Sequence, residues 1–342
     1  MTKWGDALSG LRRAPSRAGA ALLLPALVGG ALFICSASAP AQKKKAAKGG
    51  KTTAAEKGSK TAAATAAVGK PADKSLTVKT EPKATVWLDE VRRGAADDAG
   101  SLAIKNVSAG RHTLRVRARG FSERTLALLP AQRGTVEVRL TPTTDEAELL
   151  FQQAEELSSK GADGRAEAKE LYRRALKLRP KYPSARIGLA RALAADDDFN
   201  AALEEIAAAR RLRPAYPEAS AVEGRILREL AEYDESIAAF ERAVREGRGF
   251  QPEAHAGLGL VFVDKGDHER AVEHFRRAVA QLSDTEPALY QLLGAAYEKL
   301  EKWKEAVAAY EKYLELAPEG KLAPAIRSII DQLRQQAAEQ QQ

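Results

Sequence analysis

The spacing of apolar side chains changes three times along the 342 residues. An unbroken apolar stretch runs from Ala18 to Cys35. Between 42 and 74 there is no period, and Val68 is the one large apolar side chain. From 75 to 142 apolar and polar residues alternate singly, as in half-buried strands. From 147 to 318 the apolar positions recur at intervals of three and four, the period of amphipathic helices.

The alternating part predicts strands at Leu76–Lys79, Ala84–Asp89, Leu102–Ile104, His112–Ala118, Thr125–Leu129 and Thr135–Leu140. Turn signals separate them at Glu81-Pro82, Arg93-Gly94, Ala109-Gly110, Arg119-Gly120 and Arg133-Gly134. Several short strands at such spacing point to a small all-β sandwich over 75–142. In the fourth strand Arg115, Arg117 and Arg119 share one face while Leu114, Val116 and Ala118 share the other. The arginine face reads either as a basic strip for an anionic polymer or acidic partner, or as an ordinary solvated face. His112 reads as a turn residue.

In the helical part, prolines at 183, 217, 252 and 287 each open a segment, where a missing N–H costs nothing. About 19 residues after each proline stands a small residue: Ala202, Ser236, Ala271 and Ala306. Four residues on comes a large one (Ile206, Phe240, Phe275, Tyr310), and three further Ala209, Ala243, Ala278 and the exception Tyr313. Ala168, Tyr172 and Ala175 give the same pattern for a first unit, with a loose turn at Gly161-Ala162-Asp163-Gly164. In the first helix of each later unit Gly224, Gly259 and Gly294 recur at one position, with Ala190 substituting. Leu193, Leu227, Phe262 and Tyr297 follow three residues later.

This pattern resembles the tetratricopeptide repeat (TPR), in five units over 145–318. Units of this kind cannot bury their apolar face alone and must stack. Residues 319–342 read as a capping helix, with Ile326, Ile329, Ile330 and Leu333 inward, and a polar tail from Ala338. The β-region resembles the PEGA domain at Pro82, Ala84, Val86, Leu88-Asp89, Gly94, Ala109-Gly110-Arg111-His112, Leu114, Val116 and Gly120-Phe121, with Glu90 where a glycine is usual. The predicted fold class is therefore multi-domain, a small all-β PEGA-like sandwich followed by an all-α right-handed TPR solenoid. The PEGA resemblance implies an envelope-exposed module with no catalytic residues. The TPR resemblance implies a ligand groove lined by Ile187, Arg191, Ala194, Ala221, Arg225, Arg228, Ala256, Leu260, Val263, Gln291, Ala295 and Glu298. Arg191, Arg225 and Arg228 would suit a carboxylate-rich peptide and Leu260 with Val263 an amphipathic helix. The Lys/Asn set of chaperone-tail clamps is not matched.

Charge separates the segments further: net +10 over 1–74, +5 over 75–142 and −7 over the remainder. An acidic repeat array is the wrong sign for a folded nucleic-acid reader, so no specific nucleic acid is expected as a partner. Lys3, Arg12, Arg13 and Arg17 ahead of the apolar stretch, with Ala39-Pro40-Ala41 after it, read as a secretory signal peptide over 1–41. Its alternative is an uncleaved membrane anchor through residues 18–35. Residues 42–74, almost entirely Ala, Lys, Gly and Thr, bury too little to order themselves and read as a disordered, self-repelling linker. The single Cys35 excludes a disulfide framework. Gly257-Leu258-Gly259 lacks the strand and third glycine of a dinucleotide fingerprint and is read as helix packing. His255, His268 and His274 lack metal-ligand spacing and read as surface or packing residues. No cofactor is expected. The leading expectation is a non-enzymatic interaction scaffold of the bacterial cell envelope, exported to the periplasm or a membrane, gripping a protein partner. Two alternatives stay open. One is an envelope anchor in which the basic linker and β-region hold anionic wall polysaccharide or peptidoglycan; the other is nucleic-acid binding through the Lys/Ala tail.

Overall fold

The computed structural model describes residues 75–339, apart from 106, 108–110, 130, 131, 133 and 283–285. The expected signal peptide, anchor and linker lie outside the described residues.

Among the described residues seven strands form two sheets: β1 (Leu76–Lys79), β2 (Thr85–Leu88), β3 (Val91–Ala95), β4 (Ser101–Ile104), β5 (His112–Arg117), β6 (Arg124–Leu128) and β7 (Gly134–Glu137). One sheet has the order β4-β1-β7 and the other β3-β2-β5-β6. All pairings are antiparallel except β1 with β7. Alternate residues of both sheets (Leu76, Val78, Val86, Leu88, Leu114, Val116, Val136 and Val138) meet in one buried cluster.

Two expectations are corrected in this region. Arg93-Gly94 is no turn: it lies inside β3, opposite a register shift between Val86 and Trp87. The turn is Asp89-Glu90, whose φ values of 51° and 66° make a two-residue hairpin closed by the Leu88–Val91 pair. His112 begins β5 and is buried, its Nδ1 lying 2.5 Å from Asp89 Oδ2. Asp89 Oδ1 accepts from the Thr113 amide at 2.8 Å, and the Asp89 amide donates to the Thr113 carbonyl at 2.8 Å. The hairpin tip is thus fastened to β5 from within the domain.

The helices are α1 (Glu146–Ser158), α2 (Ala162–Leu178), α3 (Pro183–Ala194), α4 (Phe199–Leu212), α5 (Pro217–Glu229), α6 (Tyr233–Glu246), α7 (Pro252–Asp264), α8 (His268–Leu282), α9 (Pro287–Lys299), α10 (Trp303–Leu316) and α11 (Ala323–Glu339). They pack as five consecutive pairs with α11 against α10. The four opening prolines occupy the first helical turn. Asp145 and Asp198 cap α1 and α4 by accepting from Glu148 and Ala201 amides.

Glycine and aromatic positions interlock. A Cβ on Gly259 would stand 2.4 Å from the Phe275 ring, on Gly294 2.6 Å from Tyr310, and on Gly224 2.9 Å from Phe240. Phe240 also reaches forward to Gly257 in the next pair, where a Cβ would meet its ring at 2.3 Å. One aromatic side chain therefore nests against both its own pair and the following one, and both glycines of Gly257-Leu258-Gly259 are packing residues. Gly164 likewise sits tight inside α2, with space for a Cβ blocked 2.2 Å away by the Leu157 carbonyl, so the first unit is not loosely turned there. Ile326, Ile330 and Leu333 of α11 cover Tyr310 and Tyr313, closing the last pair. The helix continues to Glu339, past the point where a polar tail was expected to begin.

Candidate partner-binding surface

The first helices α3, α5, α7 and α9 carry the residues assigned to the groove. Ile187 does not belong there: it is 1% exposed in the core shared by the first three pairs, where no partner reaches it. Ala221 and Ala256 are buried as well, while Ala194, Leu260, Val263, Gln291 and Ala295 keep part of their surface. Glu298 accepts from the Tyr310 hydroxyl and is tied to the second helix of its own pair.

The three arginines are not equivalent. Arg191 on α3 forms an ion pair with Glu218 at the start of α5. Arg228 on α5 grips Asp264 at the end of α7 through two bonds, Nε to Oδ2 at 2.6 Å and Nη2 to Oδ1 at 3.3 Å. Both join one pair of helices to the next. Arg225 has the same register as Arg191, and Glu253 the same register as Glu218, yet Arg225 closes no ion pair or hydrogen bond among the described residues. The spacing along the chain differs as well. Arg191 and Glu218 are 27 residues apart, Arg225 and Glu253 28, because five residues rather than four join α6 to α7. Arg225 is partly buried. Burial pushes its guanidinium below its usual pKa, Glu253 opposes that shift and Arg191 adds to it. Arginine remains charged under such a shift, so a cation without an ion pair stands on α5.

Tetratricopeptide repeat models match residues 162–226, 222–287 and 287–319. This chain is a tetratricopeptide-repeat protein. Comparison with curated proteins gives no match. A thermophilic TPR protein of Thermus thermophilus is similar at 24% identity, over 55% of this chain and 98% of that one, with a TM-score of 0.47. PilF of Pseudomonas aeruginosa is similar at 18% identity over 57% and 88%, with a TM-score of 0.48. YrrB, described as a TPR protein with an unusual peptide-binding site, is similar at 20% over 53% and 92%, with a TM-score of 0.39.

The β-domain joins the TPR array through the arginines expected to be free. Arg115 is 7% exposed: its guanidinium lies 4.5 Å over the Trp87 ring and 3.3 Å and 3.7 Å from carboxylate oxygens of Glu90 and Glu123. Arg117 stacks 4.4 Å over Phe151 of α1 and pairs with Glu123. Burial disfavours its charge, but Glu123, Glu155 and Glu148, with Tyr182, outweigh burial and hold its pKa above the usual value. Of the three, only Arg119 is exposed, and it faces Glu156 of α1 at 3.1 Å. The three therefore form no continuous open strip or solvated face: Arg115 and Arg117 are covered by Trp87 and the first TPR helix, and Arg119 alone stays at the surface. Gln152 of α1 completes the contact, accepting from the Gly120 amide at 2.9 Å and donating to the Phe121 carbonyl at 2.8 Å. Beside this junction a cleft of about 300 Å³ is lined by Arg117, Glu123, Asp145, Glu148, Arg179 and Tyr182, whose charges are already paired with one another.

His255 and His274 face each other between α7 and α8, Nδ1 to Nδ1 at 3.2 Å, and His274 stacks on Phe262. Burial holds His255 in its neutral form and lowers its pKa to about 4. Among the described residues no group of three or more His, Cys, Asp or Glu is placed to hold a metal ion.

Proposed function

We propose that this tetratricopeptide protein is a non-catalytic scaffold of the bacterial cell envelope, exported by its N-terminal segment and tethered by its basic linker. Its PEGA-like β-domain stands at the front of the array. The partner is an amphipathic segment carrying a carboxylate, taken by the row of first helices. One observation carries this reading. Arg191 and Arg228 are neutralised by Glu218 and Asp264, whereas Arg225 has no ion pair among the described residues. Leu260 and Val263, on the adjoining first helix α7, keep part of their apolar surface exposed. A half-desolvated guanidinium one helix away from apolar surface suits one carboxylate held by charge-assisted hydrogen bonds next to an apolar flank.

The test is co-purification of the full chain from its own host, with Arg225→Glu and Val263→Asp as comparison chains. A partner captured by the parent protein and lost from both variants supports the reading. If Arg225→Glu retains the same partner undiminished, the groove assignment falls. Fractionation of the host tests export separately, and recovery with cytoplasmic protein would end the envelope part. The enclosed state of Arg115 and Arg117 removes those two residues from the wall-polymer alternative, which keeps the linker and the exposed arginines of the β-domain.

A further inference from the structure

The β-domain meets the array at a second place, far from α1 in sequence. Glu90, at the tip of the β2–β3 hairpin, accepts a 2.8 Å bond on Oε1 from Nη2 of Arg213, the residue after α4. Its Oε2 lies 3.3 Å from Arg115. The next residue, Val91, packs against the apolar cluster of Ala256, Ala278, Leu282 and Leu289, drawn from α7, α8 and α9. The guanidinium of Arg93 lies 5.9 Å from the Phe250 ring in the α6–α7 loop. One hairpin thus touches the array from the end of the second repeat to the start of the fifth, through Glu90 of the turn and Val91 and Arg93 of β3, and reaches the cluster that includes Ala256 of the first-helix row.

The tip is shaped for this contact at a local cost. Glu90 sits at φ 66°, in the left-handed region that glycine enters readily and residues with a Cβ resist. A glycine there would keep the turn and lose the carboxylate. Asp89, bonded to His112 and Thr113, fixes the turn from behind, so Glu90 and Val91 project as a rigid pair.

We propose that the β2–β3 hairpin is an intramolecular ligand of the repeats, a latch held by Glu90 and Val91 on a seat formed by Arg213, Phe250 and the Ala256 cluster. A groove-bound partner reaching repeats 3 to 5 must displace it. That last consequence rests on the groove reading above; the latch itself does not.

The experiment needs no partner. Donor and acceptor dyes are placed on the full chain at Thr135→Cys in the β-domain and Lys304→Cys on α10, in a Cys35→Ser background, and single-molecule energy transfer is recorded. The parent should show one high-transfer population. Glu90→Gly and Arg213→Ala should each raise a low-transfer population about tenfold, the scale of a charge-assisted bond. The double variant should rise no further than the larger single. An unchanged distribution in Glu90→Gly, or additive effects in the double variant, overturns the latch. A parent already spread between high and low transfer overturns it too. As a second arm, a cyclised, dye-labelled peptide of residues 84–96 is titrated into the Glu90→Gly chain. Binding that disappears in Glu90→Gly/Arg213→Ala supports the seat, and absence of binding at millimolar peptide rules it out as a separable surface. Undiminished partner capture in Arg225→Glu beside the expected shift in Glu90→Gly would fail the groove reading alone, and an unchanged distribution in Glu90→Gly beside lost capture in Arg225→Glu would fail the latch alone.

Discussion

The β-domain and the helical array solve the burial problem in opposite ways. The fifteen core residues of the β-domain all lie between Leu76 and Leu140 and form one closed cluster. The array has no such centre: one cluster runs from Leu150 to Ile226, another from Ala221 to Ala309, and further ones finish the C-terminal end. A closed core is made or lost as a unit, whereas a chain of overlapping cores gains stability pair by pair. Glycine shows the same contrast. Gly259 is required by space, because Phe275 fills the place of its side chain. Gly100 is required by conformation as well, with φ 73° and the Thr80 carbonyl 2.0 Å from a would-be Cβ.

The sharpest attempt to break this comparison is Phe275→Ala. It should destabilise the array by about 3–5 kcal/mol, because the ring is lost from the middle of a cluster that spans several pairs. In calorimetry of the full chain the array transition should fall while the β-domain transition stays put. A shift common to both would mean the two regions fold as one unit.

A pH scan comes next. The folded pKa of His255, about 4, lies below the 6.5 expected when unfolded, so its contribution is intact above about pH 6.5. It is lost as the pH falls from 6.5 to 4, because the unfolded chain takes up the proton first, and changes no further below that. The loss is of the order of 1–3 kcal/mol. Thermal melts at pH 7.5 and 4.5 should differ less for His255→Gln than for the parent, and only in the array transition. Equal differences would remove His255 as the source.

Gly259→Ala should cost about 1–3 kcal/mol by crowding Phe275, and the double variant Gly259→Ala/Phe275→Leu should recover part of it. No recovery would show that space is not what keeps the glycine. The smallest effect expected is that of Arg228→Ala, about 0.5–1 kcal/mol for a partly exposed pair, vanishing in high salt. A larger, salt-independent loss would mean that the arginine stem, and not its charge, joins the two repeats.

The array was nearly all legible because its physics is local and repeated. The prolines at 183, 217, 252 and 287 begin α3, α5, α7 and α9, and the recurrent small and large residues are the interlocking ones. The site was less legible, for a different reason in each case. Alternation correctly placed Arg115 and Arg117 on one strand face, but no periodicity says what covers a face. Here Trp87 on the neighbouring strand and Phe151, more than thirty residues on, do so. Register placed Ile187 on the inward row, yet the neighbouring helices bury it. Which of three arginines lacks an ion pair among the described residues cannot be read from their register, which Arg191 and Arg225 share. The hairpin contact leaves no periodic mark in the sequence: Glu90 is singled out only by its φ of 66° and its bond to Arg213.

The extra residue of the α6–α7 loop, within Gly247–Gln251, carries a lesson for design. The wall of a repeat protein is usually altered by exchanging the residues that face inward. Here two units with the same inward-facing arginine differ in the length of their rim, and only one of the two arginines is neutralised. Removing one residue from that rim, with no inward-facing side chain exchanged, tests whether the spacing is what keeps Glu253 from quenching Arg225, read as the salt dependence of stability with and without Glu253→Gln.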